Sequence, residues 1–151
     1  MILLKNGGID EVRYFLLRDM PFGEDGDIRK EAILNRLNGE LAYEIGNLFS
    51  RVSAMVLKYL DGKAEGQKDQ EYENFAMEVL EEYEKRMKGL GFYYALEAVL
   101  RLSSYLYKYV DAKAPWSLAK TDQEALKQVL YTLTDGLHLL ANLLNPLCQA
   151  R

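Results

Sequence analysis

Apolar residues recur every three or four positions through most of the chain, which is the spacing of one face of an α-helix. The spacing is most regular near the end, and the leucines that carry it are Leu126, Leu130, Leu133, Leu137, Leu140 and Leu144. Thr121 and Glu124 have the spacing of a capping box, so we expect this helix to begin there and to end before Pro146. No segment alternates with the period of two that a half-buried strand requires.

Four earlier segments are also predicted to be helical. They are a short helix over 10–18, a long helix over 28–59 with a jog at Asn38 and Gly39, a helix with the stripe Phe75, Val79, Tyr83 and Met87, and a helix with the stripe Phe92, Leu96, Val99, Ser103, Leu106 and Val110. Segments rich in glycine and polar residues separate them: one holds Pro21, Gly23 and Gly26, and the other lies between Leu60 and Gln70. The pattern predicts an all-α fold, an antiparallel helix bundle.

Composition is consistent with one globular domain. The chain has 151 residues, 49% of them apolar and 28% charged, enough to bury a single core. No apolar run reaches the ~20 residues of a membrane span. The apolar stretch at the start of the chain is too short for a signal peptide, so we expect a soluble cytoplasmic protein. The net charge of −4 disfavours nonspecific coating of nucleic acid, although it leaves room for a local nucleic-acid site.

Motifs for catalysis and metal binding are missing from the sequence. It contains no phosphate-binding glycine loop, no HExxH and no CxxC. His138 and Cys148 would supply only two of the four ligands of a tetrahedral zinc site, so we predict no metal site, no cofactor and no catalytic residue in this chain. An autonomous enzyme is the weakest interpretation because no nucleophile and base can be paired.

The only tryptophan follows a proline in the stretch "YVDAKAPWSLAK". We expect a turn there, with the indole of Trp116 near the surface. Two interpretations remain open from the residues alone. The ring either closes one end of the core or faces a ligand.

Asn47 and Arg51 are four positions apart and therefore lie on one helix face, beside the apolar stripe. An amide offers a donor and an acceptor, and a guanidinium offers a fork of donors or a stacking plane, so the pair can read the edge of an unpaired base. The alternative is an exposed hydrogen-bonding pair without a ligand.

Four stretches give these features a familiar order: "IDEVRYFLLRDMPFGEDGDI", "NRLNGELAYEIGNLFSRV", "YVDAKAPWSLAK" and "LLANLLNPL". In that order the sequence resembles the C-terminal anticodon-binding helix bundle of methionyl-tRNA synthetases, which are class I aminoacyl-tRNA synthetases. The resemblance implies a single anticodon-binding helical domain over 1–151. Within it, 1–21 would join a catalytic domain outside this chain, and 22–147 would form the bundle.

The resemblance also implies roles for single residues. Trp116 would stack on the first anticodon base, a cytosine, with Pro115 positioning the indole and with Asn47 and Arg51 close by. The partners would be the anticodon loop of methionine tRNA and the catalytic domain, with neither a membrane nor DNA. A basic rim could assist RNA binding, formed by Arg36, Lys58, Arg101, Lys108, Lys113 and Lys120.

The parent enzyme would be an ATP-dependent methionine–tRNA ligase that uses Mg²⁺. This chain would supply tRNA selection to it. The alternative from another class is a helical protein-interaction module that binds an amphipathic partner helix.

Overall fold

The structure, a computed structural model, describes residues 8–19, 31 and 35–148. Every element within those ranges is helical, which confirms the predicted all-α bundle. The α-helices are α1 (Ile9–Asp19), α2 (Asn47–Leu60), α3 (Gln70–Lys88), α4 (Phe92–Lys113), α5 (Pro115–Thr121) and α6 (Gln123–Cys148). A π-helical stretch, Leu37–Gly46, runs directly into α2 and is called the π segment below.

The core lies along α4 and α6, which pack against each other and against most other elements. The predicted stripes point into it, and their fully buried members include Leu96, Val99, Leu106, Leu126, Leu130 and Leu133. Each such side chain contributes roughly 1.5–3 kcal/mol by leaving water. Helix α3 pairs with α4 through a short connection, and α1 adds the buried rings of Tyr14 and Phe15. The apolar positions that recur with helical spacing in the sequence are thus the positions that form the core.

The turn predicted at Ala-Pro-Trp is confined to Ala114, and the expectation of a non-helical Trp116 is wrong, because Pro115 begins the seven-residue helix α5. Proline is well accommodated at the first helical position, where its missing N–H would have no partner in any case. The chain turns one residue earlier, at Ala114, whose φ of 44° is left-handed. Trp116 therefore lies on the first turn of a helix and not in a loop.

The predicted boundaries of the last helix are also wrong. Asp122 caps α6 by accepting the Ala125 N–H at 3.0 Å, whereas the Thr121 hydroxyl donates to the Ser117 carbonyl of α5 at 3.2 Å. Thr121 is unavailable as a cap because it ends α5. At the other end α6 continues through Pro146 to Cys148.

The long helix predicted over 28–59 is described from residue 35 onward. The jog predicted at Asn38 and Gly39 falls in the π segment, and α2 ends at Leu60. The turn with Pro21, Gly23 and Gly26 lies outside the described residues. Among the helices that are described, none has the length and apolarity needed to span a membrane.

Candidate functional site

Helix α2, the end of α4 and α5 meet around Arg51. Its guanidinium carbon lies 5.3 Å from the centroid of the Trp116 ring, within the range of a cation–π contact. Its Nη2 atom lies 3.1 Å from Oδ1 of Asp111, which belongs to the last turn of α4. The indole and the carboxylate together fix the position of the guanidinium.

Trp116 is held by a rigid backbone and is 41% exposed. Pro115 is buried and begins α5, and Ala114 sets the angle at which α5 leaves α4. A tryptophan that filled the end of the core would be nearly inaccessible, so the ring does not act purely as a core residue. The indole instead offers one part to Arg51 and another part to solvent.

Asn47 is the first residue of α2 and is exposed one helical turn before Arg51. The two side chains therefore share a face, as the spacing predicted. Four residues were predicted to form the site. The structure joins Arg51 directly to Trp116, places Asn47 one turn before Arg51 on α2, and buries Pro115 next to Trp116 in the chain.

Tyr107 on α4 anchors the chain just before Asn47. Its hydroxyl donates to the carbonyl of Glu44 at 2.8 Å and lies 3.3 Å from the carbonyl of Tyr43. Burial raises the pKa of this hydroxyl, the carboxylate of Glu44 adds to the rise, and the charge of Arg51 opposes it. Tyr107 therefore links α4 to the π segment just before Asn47.

Asp111 and Tyr107 also belong to the site, although neither was predicted from the sequence. Asp111 carried a signal, because a carboxylate in the last turn of a helix is unfavourable to the helix dipole and is better tolerated with a cationic partner. Tyr107 carried none that distinguishes it from the other tyrosines of "YLYKY". Its role depends on which carbonyls of the π segment face it.

The predicted basic rim is only partly available. Arg36 pairs with Asp19 and Glu40, and Lys113 pairs with Asp69 at 3.0 Å. Lys120 is exposed on α5, one helical turn after Trp116.

Metal-binding side chains do not gather in the described part of the chain. No group of three His, Cys, Asp or Glu residues could hold a metal ion there. His138 is exposed on α6. The side chain of Cys148 lies outside the described part.

A comparison with known protein families indicates the class of protein to which part of the chain is similar. The family model described as tRNA synthetases class I (M) matches residues 2–53. This stretch includes the Asn47–Arg51 face, and the match makes this part of the chain similar to class I aminoacyl-tRNA synthetases.

Relatives over nearly the whole chain identify the particular enzyme within that class. The chain is 40% identical to the methionine–tRNA ligase of Bacillus subtilis over 152 residues and 37% identical to that of Rickettsia felis, with 95% of the chain covered in both cases. The solved structure of free Mycobacterium tuberculosis methionyl-tRNA synthetase superimposes with a TM-score of 0.88 at 34% identity over 97% of the chain. The chain is thus homologous to a part of the methionyl-tRNA synthetases.

The relatives are much longer than this chain. It spans 23% of the Bacillus subtilis protein, 30% of the Rickettsia felis protein and 32% of the Mycobacterium tuberculosis chain. The activity of those whole enzymes therefore involves regions that this chain does not match.

Proposed function

We propose that this chain binds the anticodon loop of methionine tRNA and selects its CAU anticodon. One observation carries the proposal: the Arg51 guanidinium lies over a partly exposed Trp116 ring, beside Asn47. The homology to methionyl-tRNA synthetases supports RNA as the ligand. A stacking ring next to two edge-reading side chains is the chemistry that recognises an unpaired base.

Trp116 supplies the stacking surface for the first anticodon base. Stacking of a base on an aromatic ring contributes about 1–3 kcal/mol, and it favours a ring whose position is fixed before binding. Pro115 and Ala114 fix it through the backbone. Stacking accepts every base, so the ring provides affinity more than selectivity.

Asn47 and Arg51 supply the selectivity. An amide and a guanidinium can distinguish the Watson–Crick edge of cytosine from that of uracil, because the two bases differ in donors and acceptors. Asp111 keeps the guanidinium in place while the loop is absent. Recognition of splayed loop bases needs few positive charges, which reconciles RNA binding with a net charge of −4.

In the parent enzyme, selection by this domain precedes chemistry elsewhere. A catalytic domain would activate methionine with ATP and Mg²⁺ and transfer it to the tRNA in the cytoplasm. The segment 1–21 would connect the two parts. The residues of this chain bind and orient the tRNA and take no part in the chemical steps.

The test is a titration of the 151-residue chain with two fluorescein-labelled anticodon stem-loops, one CAU and one UAU, at one fixed salt concentration. The phosphates are the same in both, so a difference in affinity reports on base contacts and not on charge attraction. We expect tighter binding of the CAU loop by fluorescence anisotropy. Equal affinity for the two loops would contradict selection of the anticodon.

A second candidate rests on a groove between α2 and α6. Phe49 and Leu57 are 59% and 66% exposed along it, and its other apolar residues include Val52, Val56, Leu137 and Ala141. Such a groove suits the apolar face of an amphipathic partner helix. This function would become the better proposal if the chain bound neither stem-loop.

A further inference from the structure

Tyr43 is an exposed aromatic residue on the same face as the site. Its side chain is 73% exposed, more than any other large apolar or aromatic side chain in the described ranges. It precedes Asn47 by four positions and Arg51 by eight, so the three residues follow one line along the π segment and α2.

An isolated exposed tyrosine is ordinary, but the backbone of this one is anchored. The Tyr107 hydroxyl reaches the carbonyls of Tyr43 and Glu44 at 3.3 and 2.8 Å. Glu40, one turn earlier in the π segment, accepts the Tyr14 hydroxyl at 2.6 Å. The ring is thus presented to solvent by a segment that α4 holds at its backbone and α1 holds at the Glu40 side chain.

The same anchor connects Tyr43 to Arg51. Tyr107 lies one helical turn before Asp111 on α4, Asp111 pairs with Arg51 at 3.1 Å, and the Arg51 guanidinium lies over Trp116. Tyr43 and Trp116 are therefore two exposed rings that belong to segments connected through Tyr107, Asp111 and Arg51. Unpaired nucleotides of an RNA loop offer successive bases, and each base has a face that can stack.

We propose that Tyr43 is a second stacking residue, which contacts an unpaired RNA base other than the one on Trp116. This inference rests on the proposed function. The ligand class is a single-stranded RNA loop, and Tyr43 adds affinity for it through ring area and not through its hydroxyl. A tyrosine with 73% of its side chain exposed adds little to folding, so its removal separates binding from stability.

The test measures binding of the CAU stem-loop to the Tyr43→Ala, Tyr43→Phe and Trp116→Ala variants of the full chain by anisotropy. We expect Tyr43→Ala to lose about five-fold or more in affinity, and Tyr43→Phe to stay within about two-fold of the parent. The matched control is Phe49→Ala, because Phe49 is an exposed ring of α2 halfway between Asn47 and Arg51 and therefore on another side of the helix. We expect the control to bind like the parent.

A series of stem-loops with one loop base removed at a time then tests for stacking directly. If Tyr43 stacks on a base, the loss caused by Tyr43→Ala disappears when that base is missing. A loss that persists for every abasic loop would overturn the proposal in favour of a structural effect. Parent-like binding by Tyr43→Ala, together with a loss by Trp116→Ala, would overturn it and leave the proposed function standing. Parent-like binding by both variants would overturn the proposed function as well.

Discussion

The guanidinium carbon of Arg51 lies 5.3 Å from the ring centroid of Trp116, and this contact joins α2 to α5 at the surface of the bundle. The ion pair of Arg51 with Asp111 is also exposed, with side-chain exposures of 40% and 65%. Exposed pairs contribute about 0–1 kcal/mol to stability. The contacts of this cluster therefore contribute little to the stability of the fold.

Replacing Arg51 with alanine should separate binding from stability. We expect Arg51→Ala to weaken binding of the CAU stem-loop and to lower the free energy of unfolding by less than about 1 kcal/mol, since the side chain is exposed. Anisotropy titrations and urea unfolding measure the two effects.

The matched control for Arg51 is Arg86→Ala. Arg86 also lies over an aromatic ring, that of Tyr94, at 4.9 Å, but near the opposite end of α4. We expect this variant to bind the stem-loop like the parent. A large loss of stability in Arg51→Ala with unchanged RNA binding would make Arg51 a structural residue.

Substitutions of Trp116 should show how the affinity for RNA depends on the area of the ring. We expect Trp116→Phe to keep part of the affinity for the CAU loop and Trp116→Ala to lose about 1–3 kcal/mol, which is about five- to 150-fold. Anisotropy is the measurement, because these variants lack the only tryptophan of the chain. If Trp116→Ala bound as tightly as the parent, the indole would lie outside the RNA interface.

Asp69 should give the fold a pH-dependent contribution. Its carboxylate caps α3 at the Glu71 N–H and accepts bonds from Tyr109 at 3.1 Å and Lys113 at 3.0 Å. Burial acts to raise its pKa, but the bonds from Lys113, the Glu71 N–H and Tyr109 outweigh burial and hold the pKa below its ordinary value. The ionised form is thus favoured by folding.

The stabilisation by Asp69 is fully present above the ordinary aspartate pKa and is lost as the pH falls through the lowered value in the folded state. We expect Asp69→Asn to cost about 1–2 kcal/mol at pH 7, and this difference should shrink below about pH 4 in urea unfolding. The control is Asp122→Asn at the exposed cap of α6, where asparagine caps equally well. A difference that does not change with pH would rule out the carboxylate charge as the cause.

Gly136 of α6 lies in close contact with α4. A Cβ atom there would lie 2.5 Å from Cδ2 and 2.8 Å from Cδ1 of the fully buried Leu106. Overpacking costs typically about 1–3 kcal/mol, and the better helix propensity of alanine offsets about 1 kcal/mol. We therefore expect Gly136→Ala to lower the free energy of unfolding by about 1–2 kcal/mol.

Two variants check the packing explanation for Gly136. Gly39→Ala adds a Cβ with no atom within 4 Å and should not destabilise the protein. Leu106→Val should cost less in the Gly136→Ala background than alone, because the smaller side chain relieves the clash. Additive effects of the two substitutions would contradict this explanation.

The sequence predicted the long helices of the bundle because their burial follows helical spacing. It correctly predicted that α4 ends before Pro115, but it failed to predict that a new helix begins at Pro115 and that the last helix continues through Pro146. Pro115 begins α5 and Pro146 lies inside the last turn of α6, since a proline near a helix end disturbs few hydrogen bonds. The cap of α6 was predicted one residue too early for a related reason. Helix α5, which was not predicted, ends at Thr121, so the next residue caps α6.

The candidate site was predictable where it depends on one helix and unpredictable where helices meet. Asn47 and Arg51 share a face because they are four positions apart, and that spacing is visible in the sequence. Asp111 and Tyr107 enter through the packing of α4 against α2 and the π segment. The tertiary fold determines which carboxylate lies next to Arg51 and which hydroxyl contacts the π segment.

The π segment has a consequence for how the chain opens. None of its residues with a described side chain is fully buried: Leu37 and Leu41 pack partly against the core, Tyr107 and Tyr14 donate hydrogen bonds to the segment, and Arg18 pairs with Glu40. Regions with little apolar burial open at a lower free energy than the core. Its backbone amides should therefore exchange with deuterium earlier than those of α4 and α6. The Tyr107→Phe substitution removes one of these hydrogen bonds and should speed up exchange in the π segment, while exchange of the core amides should not change.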